Sequence, residues 1–376
     1  MTAFARRTTD RIAFLVNGGP GSAMADRART FAEGIASSFE CTLHFREGGR
    51  VGAAAAYFRS LRETHPSAVY VLDLTAPAVA AAYAFRRLSG CRVIVDTGDA
   101  TAALIGASRR VGRVGFAALD RYERQALLAA DALIVRGTYH RQYLAERGVP
   151  VAAVIPDGVH MTVFQPGDAG ALRSTLGLSG RLVVGVVGSL YWNKRLQWTP
   201  GMELIDALAT AASDRVIGLI IGQGSGLDHL RARARRSGVS DRVCFIDRWL
   251  DLPSLAAHVN ALDVCLSTQT NNLVGRVRTS GKLPLFLAAG RFVVATRVGE
   301  AARLLPEEML LEYDADFDPG YPLRLAERLE RIVRTPDLLA SAGANRAIAE
   351  AEFDYRLLVP RVRRVLEQAL DCAHAA

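Results

Sequence analysis

Short runs of apolar, often β-branched residues alternate along the chain with longer stretches whose apolar positions recur at helical spacing. In the first half the short runs are Ile12–Val16, Thr42–Phe45, Val69–Leu72, Arg92–Val95, Leu133–Val135 and Ala152–Ile155. Between the first two, Ala28, Phe31, Ala32 and Ile35 fall on one face of a helix. Strands that are apolar throughout, separated by amphipathic helices, predict a parallel sheet covered on both faces.

The rhythm breaks at Ile155–Gly170, a stretch with two prolines and three glycines that reads as an interdomain linker. It then resumes with Leu182–Val187, Val216–Ile221, Val243–Ile246, Val264–Ser267, Phe292–Ala295 and Leu310–Glu312, and closes on an amphipathic helix from about Phe353 to Leu370. The expected organisation is a first domain over 1–167, a second over 168–354, and a terminal helix over about 355–376 crossing back onto the first. Both domains are expected to be α/β and doubly wound. Such sheets bind ligands at the carboxyl ends of their strands, so the expected site is a cleft between the two.

Composition narrows the picture. Half of the 376 residues are hydrophobic and 22% are charged, enough for packed cores and against global disorder. Alanine and arginine dominate and lysine is rare, a usage typical of GC-rich bacterial coding. The net charge is +8, concentrated in blocks such as Arg231–Arg236 and Arg361–Arg364 that read first as solvated helix faces. Nucleic-acid-binding signatures are missing, so no nucleic-acid partner is expected. Cys41, Cys91, Cys244, Cys265 and Cys372 lie far apart without a CxxC pair, which fits a reducing cytoplasm. No signal peptide and no transmembrane helix are expected.

Four turns carry candidate chemistry. Gly18, Gly19 and Gly21 follow the first strand and open the first helix, leaving amides bare for an anion. They fall short of a dinucleotide fingerprint, and a plain strand–helix turn has the same pattern. Gly188 ends the first strand of the second half, with Lys194 and Arg195 beyond it. Gly222, Gly224 and Gly226 follow the next strand, where backbone could approach a ring or a phosphate. The fourth turn is Arg276–Gly290. Thr279, Ser280 and Gly281 precede a helix begun by Lys282, with Pro284 in its first turn and Arg276 and Arg278 nearby. It is not a Walker loop, yet a diphosphate would suit it. The alternative is a basic turn capping a core helix.

Taken in order, "ADALIV", "IPDGVHMTVFQP", "GSLYWNK", "GQGSGLDHL", "DRVCFIDRW", "ALDVCLST" and "GKLPLFLAAGRFVVATRVG" resemble the motifs of the retaining family 4 glycosyltransferases of GT-B fold. The resemblance is strongest from Asp131 to about Pro306. It implies two Rossmann-like domains, a nucleotide diphosphate sugar as donor (GDP- or UDP-linked), no further cofactor and no metal. It places Gly18, Gly19 and Gly21 toward donor phosphates and acceptor, Ser189 and Lys194 at the donor phosphate with Arg195 beside them, and Gly222 and Gly224 near the nucleotide. The diphosphate and sugar would meet Thr279, Ser280, Gly281 and Lys282, with Arg276 and Arg278 supplying charge.

The departures are specific. The family's strand-end arginine is Ser189 here. Its two donor-site glutamates, counted back from Gly290, fall on Val277 and Leu285. A His-Asp pair of the first domain reads Gly98-Asp99. Asp99 is the carboxylate expected to orient the acceptor or serve as general base, and it also reads as a strand-end turn residue. His140 is an acceptor-side candidate that also reads as a helix-surface histidine. The expectation is retaining transfer to a small polar acceptor in bacterial specialised metabolism. The alternatives are a GT-B binding protein without catalysis, a lipid glycosyltransferase at a membrane surface, and an epimerase or phosphorylase. A soluble acceptor is preferred over a membrane one, and self-association stays open.

Overall fold

The computed structural model describes residues 10–108, 111–211 and 213–374. Each apolar run becomes a strand: β1 (Arg11–Val16), β2 (Glu40–Phe45), β3 (Ala68–Leu72), β4 (Arg92–Thr97), β5 (Ala132–Val135) and β6 (Ala153–Val154), then β7 (Leu182–Val187), β8 (Val216–Ile221), β9 (Val243–Ile246), β10 (Val264–Ser267), β11 (Phe292–Thr296) and β12 (Leu310–Leu311). The central strands are buried from end to end, as β3 and β8 show. Burial on both faces is what an uninterrupted apolar run requires.

The first six strands form one parallel sheet in the order β2-β1-β3-β4-β5-β6. The last six form another, β12-β11-β10-β7-β8-β9. In each, the strand order reverses beside the first strand. The switch points therefore lie at the carboxyl ends of β1 and β3, and of β7 and β10, where crossovers diverge and leave an open crevice.

The chain divides into two compact units, 1–156 with 355–376, and 157–354. The sequence put the boundary after residue 167. Residues 157–167 go with the second unit because their own side chains and carbonyls are needed there. Met161 and Phe164 are buried in its core, the Val159 amide donates to the Phe353 carbonyl (2.8 Å), and Arg346 donates to the carbonyls of Phe164 (3.1 Å) and Met161 (3.3 Å). The helix Tyr355–His374 packs on the first sheet, where Tyr355 meets Phe31 edge to face with ring centroids 5.9 Å apart. It approaches the helix Ala23–Ile35 so closely that a Cβ on Gly34 would lie 2.6 Å from a Val359 methyl.

A buried charge cluster ties the first unit together. Asp96 on β4, fully buried, accepts from Arg27 Nε (2.9 Å), the Tyr70 hydroxyl (2.8 Å) and Arg136 Nε (3.2 Å). Burial opposes its ionisation, but the Arg27 and Arg136 guanidiniums outweigh that and hold the carboxyl below its usual range. Arg27 also donates to the carbonyls of Ile155 (2.9 Å) and Pro156 (2.6 Å), so one side chain joins the first helix, β4 and the last residues before the second unit. The basic blocks are in part paired: Arg231 bonds Asp247, and Arg233 bonds Asp206.

Replacing Arg27 with methionine leaves a buried carboxylate short of a cation and two carbonyls without a donor. The expected loss is about 3–5 kcal/mol in urea unfolding. A loss below about 1 kcal/mol, the level of a surface pair, would show that the cluster does not hold the unit together.

Candidate functional site

In the second unit the switch point is built from backbone first. Gly188, just past β7, has φ +131°, and its amide donates to Ile221 O (2.9 Å). Gly222 and Gly224, at φ +152° and +150°, continue from β8. A Cβ on Gly222 would fall 1.8 Å from the Gly188 carbonyl oxygen, and one on Gly224 2.4 Å from that of Leu190. The expected use of these glycines was close approach to a ring or phosphate. The side where a Cβ would stand is taken by the neighbouring loop, with Leu190 N donating to Gln223 O and Gly226 N to Leu190 O. The two strand-end loops are thereby fused into one rigid rim. Ser189 lies exposed on it.

The chain's two lysines, Lys194 and Lys282, are treated differently by the fold. Lys194 stands exposed in a turn whose Asn193 side chain accepts from the Arg195 and Leu196 amides; Arg195 is exposed too. Lys282 begins the helix Lys282–Ala288 and is half-buried. It runs along Gly188 so closely that a Cβ there would lie 3.3–3.4 Å from its Cδ, Cε and Nζ. Burial, then the Arg278 guanidinium, lowers its pKa to about 8, against a smaller upward pull from Glu203. It also borders a cavity of about 40 Å³ shared with Val186, Trp198, Glu203, Leu266 and Thr268.

Around Lys282, Thr279 keeps a buried hydroxyl with no hydrogen-bond partner among the described residues, and Gly281 lies 3.5 Å, at its Cβ position, from Asp157 Oδ2. Arg276 is exposed and donates to Asn271 Oδ1 (2.9 Å). Arg278 and Ser280 are half-buried on the same segment. Val277 is buried, and Leu285 packs against the core of the second unit. Apolar packing thus occupies the two positions where the resemblance puts glutamates. Glu203 was missed in the sequence. It is 5% exposed, accepts from the Trp198 indole (2.7 Å), and is raised by burial to about 7. Its only sequence signal is an acid at the start of an apolar helix, after a glycine at φ +100°.

In the first unit, Ser22 caps the helix after the glycine turn by accepting from Ala25 N. Positions Gly19 and Gly21 are open, whereas a Cβ on Gly18 would strike the Ser22 side chain. Asp99 follows β4. The helix after it, Thr101–Ser108, is fixed by Glu123, which accepts from the amides of Thr101 (2.6 Å) and Ala102 (2.9 Å). A Cβ on Gly98 would sit 2.8 Å from Arg136 Cδ, so the arginine just past β5 fills the space where the resemblance expects histidine. His140 is not on the helix surface: it is 1% exposed, and neither ring nitrogen has a hydrogen-bond partner among the described residues. Burial lowers its pKa to about 4, with Asp99 opposing and Arg136 assisting.

These two doubly wound units are the GT-B fold. The sucrose-phosphate synthase of Thermosynechococcus elongatus has the same fold with a TM-score of 0.75 at 17% identity, covering 96% of this chain and all of that one. Anabaena HepE in complex with UDP and glucose follows at TM-score 0.74 and 18% identity, again over 96% of this chain and all of that one. Within that class, residues 181–334 match the family described as Glycosyl transferases group 1. Among curated relatives, D-inositol 3-phosphate glycosyltransferase 2 of Catenulispora acidiphila is 28% identical over 270 residues, 66% of this chain and 58% of that protein. The D-inositol 3-phosphate glycosyltransferase of Segniliparus rotundus is 34% identical over 200 residues, 50% of this chain and 41% of that protein. The chain therefore spans less than two thirds of the length of these curated relatives.

His140 gives a pH test. Its folded pKa of about 4 lies below the free value of 6.5, so folding must hold it neutral. Its contribution is complete above pH 6.5 and is lost as the pH falls toward 4, by up to roughly 3 kcal/mol. Urea unfolding of His140→Leu should show a flatter stability profile across that window. An unchanged slope would mean that His140 protonates freely in the folded chain.

Proposed function

We propose that this chain is a glycosyltransferase that moves a sugar from a nucleoside diphosphate sugar to a small polar acceptor, with retention, without a metal, in the cytoplasm of a bacterium. The observation that carries the reading is the match of residues 181–334 to the group 1 glycosyl transferases, which spans the switch point where Lys282 meets Gly188. An ammonium with no hydrogen bond or ion pair in the described residues, at the carboxyl edge of a doubly wound sheet, suits a phosphate oxygen.

In this reading the diphosphate lies against the Gly188–Ser189 rim and the Thr279–Gly281 loop, with Lys282 as its nearest cation. Lys194, Arg195 and Arg276 add charge from exposed positions, and half-buried Arg278 adds it from the same segment as Lys282. Gly222 and Gly224 shape the rim toward the nucleotide. The sugar–phosphate bond breaks, the new bond forms to the acceptor oxygen, and the departing phosphate takes the acceptor proton. The protein's work is to stabilise the charge growing on that phosphate. On the first unit, Gly19 and Gly21 offer amides while the Gly18 amide is held by the Val16 carbonyl (2.9 Å), Asp99 orients the acceptor hydroxyl, and neutral His140 borders it. The names of the two curated relatives favour a phosphorylated polyol among small polar acceptors. The altered donor residues fit a specialised bacterial pathway. Apolar Val277 and Leu285 favour a second reading, a GT-B protein that binds a nucleotide without turnover.

Thermal unfolding with UDP, GDP, ADP, dTDP and CDP should show stabilisation by one of them. Transfer from the matching sugar nucleotide should fall by about 100-fold or more in Lys282→Ala and in Lys194→Ala. Stabilisation without sugar release from any donor would favour the binding reading. No stabilisation by any nucleotide would overturn both.

A further inference from the structure

The cavity beneath the β7–β10 edge joins two groups that arrive from separate elements. Lys282 borders it from the turn after the Thr279–Gly281 loop, and Glu203 from the first turn of the helix Met202–Thr210. The void of about 40 Å³ is large enough for water to link them. Glu203 is held by the Trp198 indole, which lines the same cavity, and the Lys282 stem is confined along Gly188. The deeper the ammonium lies, the more its charge depends on a counter-charge nearby. We propose that Glu203 is a positioning residue for Lys282, keeping it charged and drawn along Gly188 where an anionic phosphate oxygen docks. The docking clause rests on the function proposed above; the coupling of the two side chains does not.

The charges acting on the pair are few. Burial and Arg278 both drive Lys282 toward the neutral amine, and Glu203 is the acidic group opposing them. Glu203 in turn feels burial first, the Trp198 hydrogen bond, Asp206 on its own helix, and Arg233 from the helix Leu227–Arg236. Tyr313 and Tyr321 complete its surroundings, and both stay protonated because burial raises them. Without the carboxylate, nothing in this set favours the charged lysine. A neutral amine would forfeit the charge-assisted bond to phosphate.

The test uses the fact that the chain contains only Lys194 and Lys282. Protein labelled with 13C at lysine Cε gives two signals, assigned by Lys194→Arg, and exposed Lys194 is an internal reference. In the wild type the Lys282 signal should titrate near pH 8. In Glu203→Gln, whose amide oxygen can still accept from Trp198, the midpoint should fall by about one pH unit while Lys194 stays fixed. If Glu203→Gln fails to fold, the reciprocal experiment decides. In Lys282→Gln, the indole N–H signal of Trp198 should report a Glu203 midpoint raised by about one unit. Midpoints that do not move overturn the coupling. The functional clause is read with UDP and inorganic pyrophosphate as probes: binding should weaken as pH rises through the Lys282 midpoint, and at correspondingly lower pH in Glu203→Gln. Identical pH profiles in the two proteins overturn the positioning role. If neither probe binds the wild type, the transferase reading and the docking clause fail together, while the lysine titration still decides the coupling.

Discussion

A parallel sheet sends the carboxyl end of every strand to the same edge, because each crossover must return the chain to its starting side before the next strand begins. The rest of this structure depends on that constraint, applied twice. It gathers residues distant in sequence, such as Gly188, Gly222, Thr268 and Lys282, at one rim of the second sheet. It gathers Asp73, Asp96, Gly98 and Arg136 at the corresponding rim of the first. At each rim the backbone is crowded, and the two sheets resolve the crowding differently. The second uses glycines at positive φ whose missing side chains admit a neighbouring carbonyl. The first uses a glycine to admit an arginine, and then neutralises that arginine with two buried or half-buried carboxylates.

The two rims are also electrostatically unlike. In the first unit the charges close on themselves: Asp96 is shared between Arg27 and Arg136, and Arg136 reaches Asp73. Such a cluster fixes geometry, since removing one member strands another in low dielectric. In the second unit Lys282 has no ion pair among the described residues, with a carboxylate bordering the same small void and a second cation in the preceding segment. Closed charge holds the fold, and open charge is available to a ligand. That contrast supports the proposed placement of donor chemistry at the second rim.

Much of the fold was legible in the chain. All twelve strands follow from short apolar runs, because a strand buried on both faces has no other way to be written. The glycine turns were legible as turns, and the resemblance to GT-B enzymes rested on the order and spacing of seven motifs from "ADALIV" to "GKLPLFLAAGRFVVATRVG". Their contacts were not. That Gly222 faces the Gly188 carbonyl depends on which strand lies beside which, and the order β10-β7-β8 is a property of the assembled sheet. The domain boundary moved for a similar reason. A proline- and glycine-rich stretch looks like a linker, but Met161 and Phe164 within it are core residues of the second unit.

The sequence by itself determined the elements, their alternation, the two-sheet architecture and the positions of both lysines, because periodicity and residue type are local properties. Only the tertiary structure decided that Lys194 is exposed while Lys282 is half-buried beside Gly188, that His140 is buried without a hydrogen-bond partner among the described residues, and that Glu203 shares a cavity with Lys282. Burial and charge pairing depend on which surfaces close over a residue. That information lies in the packing of distant segments, and no local pattern carries it.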